Sequence, residues 1–224
     1  MVFASSKMLS LNLFWYCNNS PMMYSDFNGF SPSEDAFLVV QKYATPIKQA
    51  AKIFGIDAAT LGAIIYVEHF WNYNFIDKYI DWNAAYFIDA SLGVCQVKIS
   101  TAVKVEDAGY MPATYNLSGR TDGMDLKRRR GIIDKLSNDY INIKYAAAYL
   151  AWIIDLWKYE YRYIANDVGV LATLYNGGEQ GSHGIHSNPK ASNFGLCAKS
   201  VYNKIYNILN RGGEQSKTNS DLRC

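Results

Sequence analysis

Between Ala58 and Ile76 the chain carries one acid, Glu68, inside the otherwise apolar run LGAIIYVEHFW. No Gly or Pro follows Gly62 in that run, so it reads as a helix. On it Leu61, Ile64, Ile65 and Glu68 share one stripe at i, i+3, i+4 and i+7. A carboxyl on a buried stripe is desolvated. Desolvation raises its pKa and keeps it protonated near neutrality, ready to hand a proton to a leaving group. The competing reading is a glutamate near a helix end, solvated or paired with an Arg or Lys. His69 is its neighbour in sequence, but successive side chains on a helix point about 100° apart, so spacing argues against a direct partnership.

Further blocks follow in order. Ser91-Leu92-Gly93-Val94-Cys95-Gln96-Val97 precedes Ser100-Thr101-Ala102. Asn142-Ile143 and Tyr149-Leu150 lie within a long helical pattern, and Ala172-Thr173-Leu174-Tyr175-Asn176-Gly177-Gly178 comes last. A helix glutamate followed by S-x-G-x-x-Q, T-A, N-I…Y-L and Y-N-G-G resembles the signature of soluble lytic transglycosylases. Goose-type lysozymes share a related block around the glutamine. The resemblance spans residues 57–180, more than half the chain.

That resemblance implies a mainly α, lysozyme-like helical domain with a small irregular or β-hairpin element beside the active-site cleft. The implied reaction is cleavage of the β-1,4 bond between N-acetylmuramic acid and N-acetylglucosamine in peptidoglycan, with no cofactor. Glu68 matches the general acid, which then acts as base on the C6 hydroxyl to close a 1,6-anhydro ring. Ser91 and Gln96 match cleft-lining positions, Gln96 near the acetamido group. Tyr175 and Asn176 match the Y-N block, where the Tyr hydroxyl approaches the glutamate and orients it. Each has a structural alternative: Ser91 as a cap, Gln96 bonding backbone, Tyr175 as core.

Departures from the pattern bear on the reaction. Val94-Cys95 stand where the family has Leu-Met, and Ile99 where it has Pro. The interval between Glu68 and Gln96 holds 27 residues, is rich in aromatics and contains Asp77, Asp81 and Asp89. An inverting lysozyme needs a second carboxylate about 6.5–9.5 Å from the first to activate water. Asp81 and Asp89 are the candidates, with turn residue or helix cap as the alternative for both. Lys98, two after the glutamine, occupies a place where goose-type enzymes carry an Asp, which favours the transglycosylase. A hydrolytic goose-type-like lysozyme, or a non-catalytic glycan-binding protein on the same fold, are the other readings.

The elements that must position these residues are mainly helical. Residues 1–32 read as an irregular but structured segment, 33–210 as the lysozyme-like domain, and 211–224 as a polar, disordered tail. Pro32 opens a helix that Pro46 should end or kink, and a second helix runs to Phe54 with Gly55 as its stop. Asp57 caps the Glu68 helix. Asn72 to Ala90 is ambiguous between hairpin and loop. Ser100 or Thr101 starts a short helix, and Gly109 to Gly123 connects. Asn138-Asp139 caps a long helix to about Tyr159, and Asn166-Asp167 caps the next, which ends at Asn176-Gly177-Gly178. A glycine-rich loop to Pro189 leads to an amphipathic helix with Phe194, Cys197, Val201, Ile205 and Ile208 inward.

Composition agrees with these assignments. In 224 residues, 50% are hydrophobic, ample for a core, and the net charge of +2 gives no footprint for nucleic acid. The 18 Tyr and 5 Trp suit sugar stacking, but a Tyr-rich core would show the same counts. Lys127-Arg128-Arg129-Arg130 reads as a solvated face, or as an attraction for anionic wall polymers. No segment has the length of a membrane span, and the run from Met8 to Cys17 is a poor signal peptide, interrupted by Ser10 and Asn12. Action in the periplasm or outside the cell then requires another export route. The implied partner is peptidoglycan glycan, and any inhibitor or immunity protein is unreadable. No metal constellation is visible, His183 and His186 lie in a surface loop, and Cys95 reads as a buried free thiol. Cys17–Cys197 is a candidate disulfide on which the reading places no weight.

Overall fold

The structure, a computed structural model, describes residues 31–71, 85–86, 88–120 and 123–210. The helical unit starts at Pro32. Among the described residues it holds eight α-helices and one two-stranded hairpin: α1 (Pro32–Lys42), α2 (Ala44–Phe54), α3 (Ala58–Trp71), β1 (Ser91–Leu92), β2 (Val97–Lys98), α4 (Ile99–Asp107), α5 (Leu126–Leu136), α6 (Asp139–Trp157), α7 (Val168–Gly177) and α8 (Asn193–Asn210), with a 3-10 turn at Ile164–Asn166. The chain is mainly α. No described helix is long and apolar enough to cross a membrane.

Local signals set most boundaries. Pro46 sits in the first turn of α2, where a missing N–H costs nothing. Its ring would collide with the carbonyl four residues back, at Lys42, so the break falls at Tyr43, ahead of the proline. Gly55, at φ +67°, ends α2 in a left-handed cap whose N–H reaches the Ala51 carbonyl. Asp57 caps α3 as anticipated, accepting from the Thr60 N–H and hydroxyl at 2.8 Å each. Asn138 and Asp167 do the same for α6 and α7.

The Glu68 helix differs from expectation in one respect. It is not amphipathic: every residue from Ala59 to Val67 is buried, and so is Glu68. Such a helix belongs at the centre of a fold. α3 packs against α1, α2, α7 and α8. At Gly62 a side-chain carbon would lie 2.6 Å from Ile205 Cγ2, so the glycine is what lets α8 come this close.

The basic run is a solvated face only in part: Lys127 and Arg130 are exposed, but Arg129 is half-buried and Arg128 is buried. The run lies in α5, and Arg128 is 1% exposed. Arg128 pairs with Asp107 at 2.7 Å and lies 3.7 Å from Glu106. Arg129 donates to the carbonyls of Ala85 and Ile88. Glu106 is itself enclosed: it accepts from Lys135 at 3.0 Å, Tyr145 at 2.6 Å, and the Thr114 N–H and hydroxyl at 2.8 Å. This cage joins α4, α5, α6 and the 109–123 connection.

Cys95 is buried and free, as expected. Cys197 is disulfide-bonded, which the sequence reading did not rely on. Cys17 and Cys224 lie outside the described residues, as do the expected N-terminal segment, the tail from residue 211, Asp77 and Asp81.

Candidate active site around Glu68

Glu68 lies in the third turn of α3, 6% exposed. The S-x-G-x-x-Q block comes against it as the hairpin β1–β2, with Ser91 opposite Lys98 and Leu92 opposite Val97. The turn between the strands contains two residues with positive φ, Gly93 at +73° and Gln96 at +49°. Gln96 is the only non-glycine residue in that region among the described residues, a strain on the order of 1–3 kcal/mol that persists only where surroundings over-determine it.

Three helices supply that determination. From α6, Asn142 donates to the carbonyls of Leu92 at 2.8 Å and Leu136 at 3.0 Å, and its side-chain oxygen accepts the Cys95 N–H at 2.8 Å. From α7, the Tyr175 hydroxyl donates to the Cys95 carbonyl at 2.6 Å. From α3, His69 Nε2 meets the Val94 carbonyl at 3.0 Å. A methyl at Gly93 would lie 2.3 Å from Asn142 Nδ2 and 2.6 Å from the Leu136 carbonyl, so only glycine fits there. Gln96 folds back, its N–H and Nε2 both reaching the Gly93 carbonyl.

Two groups that feel the charge of Glu68 are themselves neutral. Burial pushes the Cys95 thiol well above its usual range, and the charge of Glu68 adds to the shift. Burial also pushes the Tyr175 phenol well up, followed by the charges of Cys95, Glu68 and Tyr149. Tyr149 packs on Tyr175 with ring centres 5.5 Å apart, and its hydroxyl reaches Glu179 at 3.3 Å. Burial acts to raise the Glu179 pKa, but hydrogen bonds led by Lys104, at 2.6 Å, outweigh it and hold the carboxyl below its ordinary range.

The sequence-predicted residues thus divide. Glu68, Cys95, Gln96 and Tyr175 come together. The expected contact of the Tyr175 hydroxyl with Glu68 is replaced by one with the Cys95 carbonyl: the phenol holds the turn that faces the acid. The Gln96 amide bonds backbone, its structural alternative. Ser91 lies half-buried on β1, and Asn176 is exposed at the end of α7. Asp89 accepts from the Ser100 N–H at 2.8 Å and hydroxyl at 2.7 Å, so it caps α4 across the hairpin. Asn142 and Tyr149 were quoted as parts of a helical block without a role, His69 was set aside as a partner of Glu68, and Glu179 and Lys104 were missed. Asn142 had a signal of the same kind as Glu68, a polar side chain on the apolar face of a helix. No group of three or more His, Cys, Asp or Glu side chains that could hold a metal occurs among the described residues.

Comparison with protein-family models and with curated proteins gives no match to this chain.

Proposed function

We propose that this chain is a peptidoglycan lytic transglycosylase on a lysozyme-like fold, acting outside the cytoplasmic membrane with Glu68 as its acid and base. The observation that carries the proposal is the position of Glu68: a carboxyl 6% exposed on the central helix, beside a turn whose backbone is fixed from α3, α6 and α7. Burial of this degree acts to favour the protonated carboxyl that leaving-group protonation requires.

In this reaction the Glu68 proton goes to the glycosidic oxygen as the bond from it to the muramic anomeric carbon breaks. The sugar's acetamido group supports the positive charge that develops there. The C6 hydroxyl oxygen then bonds to the anomeric carbon and its proton returns to Glu68, leaving a 1,6-anhydro end and a free hydroxyl on the departing glycan. No water is consumed, so one carboxylate suffices. The commitment of Asp89 to the start of α4 weighs against a hydrolase that would use it.

The test is mass spectrometry of products from purified peptidoglycan. Wild-type protein should release chains ending in anhydro-muramic acid, and Glu68→Gln, equally folded, should release none. Asp89→Asn should retain most activity. Reducing ends as the sole product would instead identify a goose-type-like lysozyme. Full activity in Glu68→Gln would remove the residue from the chemistry.

A further inference from the structure

The loop that follows α7 encloses a cavity of about 520 Å³, within the range of small-ligand sites. Its floor is apolar, formed by Trp157, Val170 and Leu174. Its rim carries Ser182, His183, His186 and Lys190. No Asp, Glu or Arg is part of the described lining. We infer that this cavity binds a small carboxylate with a short aliphatic body, a ligand that the proposed glycan cleavage does not require.

The walls are preformed. Gly178 N–H bonds the Leu174 carbonyl at 2.9 Å and Gly181 N–H the Gly178 carbonyl at 3.0 Å. Trp157 Nε1 donates to the Glu179 carbonyl at 2.7 Å, fixing the loop's first bend. On the far side Ser192 N–H bonds the Thr173 hydroxyl at 2.8 Å. A site so held loses little entropy on binding.

Donor chemistry selects the anion. His186 Nδ1 accepts the Asn188 N–H at 3.2 Å, which fixes the tautomer and leaves Nε2–H as a donor. The same ring stands edge-on to Trp157 at 5.8 Å, so its orientation is set by packing as well. With the Lys190 ammonium and the Ser182 hydroxyl, the rim offers donors and one fixed positive charge. That matches the single charge of a carboxylate. A phosphate, with more charge to neutralise, is better matched by a guanidinium fork or several backbone N–H groups than by one ammonium. Trp157 is 1% exposed, so the floor offers no open ring face for a sugar to stack on. Hydrocarbon against Val170 and Leu174 completes the fit.

The experiment follows the imidazole resonances of the full chain by NMR during titration with four probes. They are N-acetyl-alanyl-alanine, its C-terminal amide, butyrate and inorganic phosphate. The two carboxylates should shift His183 and His186 saturably, with the amide at least roughly tenfold weaker. Lys190→Glu and Lys190→Gln should each weaken the carboxylates by roughly that factor, whereas Lys48→Glu, an exposed change on α2, should not. Tighter binding of the dipeptide than of butyrate assigns the site to a peptide C-terminus, and the reverse order to a free organic acid; both support the inference. Equal binding of acid and amide, saturation by phosphate alone, or no saturation by about 10 mM overturns it. Because no probe contains glycan, loss of the cleavage reading would leave this result standing, and the reverse.

Discussion

Glu68 and Glu106 are both buried carboxylates within one helical unit, 6% and 4% exposed, yet their surroundings differ in kind. Glu106 is met by Lys135, Tyr145 and both donors of Thr114, with Arg128 beyond. Burial acts to raise its pKa, but these donors overcome that and hold it below the ordinary value. Among the described residues, a thiol and a phenol respond in their titration to Glu68, and both are kept neutral. A carboxylate surrounded by donors is fixed as a charge and serves to join α4, α5 and α6. Beside Glu68 the thiol of Cys95 and the phenol of Tyr175 stay neutral, company in which a carboxyl can take up and release a proton.

Applying the same substitution to each tests this contrast most severely. Glu106→Gln removes the charge that Lys135 and the buried Arg128 both face, so it should cost about 3 kcal/mol in chemical denaturation. Glu68→Gln should cost less than about 1 kcal/mol and appear in activity instead. Equal stability losses would erase the distinction. At the Glu68 site the rigidity lies in the turn, so Gly93→Ala, forced against Asn142 and the Leu136 carbonyl, should lose on the order of 2 kcal/mol. If Gly93→Ala unfolds like wild type, the turn has room the packing denies. Tyr175→Phe removes one hydrogen bond to Cys95 and should lose about 1 kcal/mol, with slower turnover from a looser turn. Unchanged stability and turnover would make the phenol simple core. A pH effect belongs to Glu106. Its folded pKa is lowered from 4.5, so its stabilisation is present above that value and disappears as pH falls through the folded pKa. Acid unfolding curves should steepen below pH 4.5 in wild type and flatten in Glu106→Gln.

Much of the frame was legible because its signals are local. Asp57, Asn138 and Asp167 cap the helices their sequence positions indicate, and the Gly-rich end of α7 stops where it should. Glu68 was found because a lone acid in an apolar run has few structural explanations. What escaped was set by distant contact. Arg128 looks solvated within a run of four cations, and only the return of Glu106 and Asp107 buries it. The hydroxyl of Tyr175 was expected at the acid, but no sequence rule says which of several acceptors around it will be nearer. Asp89 chose α4 because Lys98, at the helix cap position, makes no side-chain cap bond to it.

The burial of α3 also has a consequence in time. Its apolar surface is synthesised by residue 71, but the face covered by α8 waits for residues 193–210. At about 5–20 residues per second, that delay is on the order of ten seconds. Through it the most hydrophobic helix of the described chain lacks its lid. The helix that closes over Gly62 therefore acts as a completion check. A nascent chain stopped short of residue 193 would carry every block of the signature and still leave the Gly62 side of its central helix uncovered.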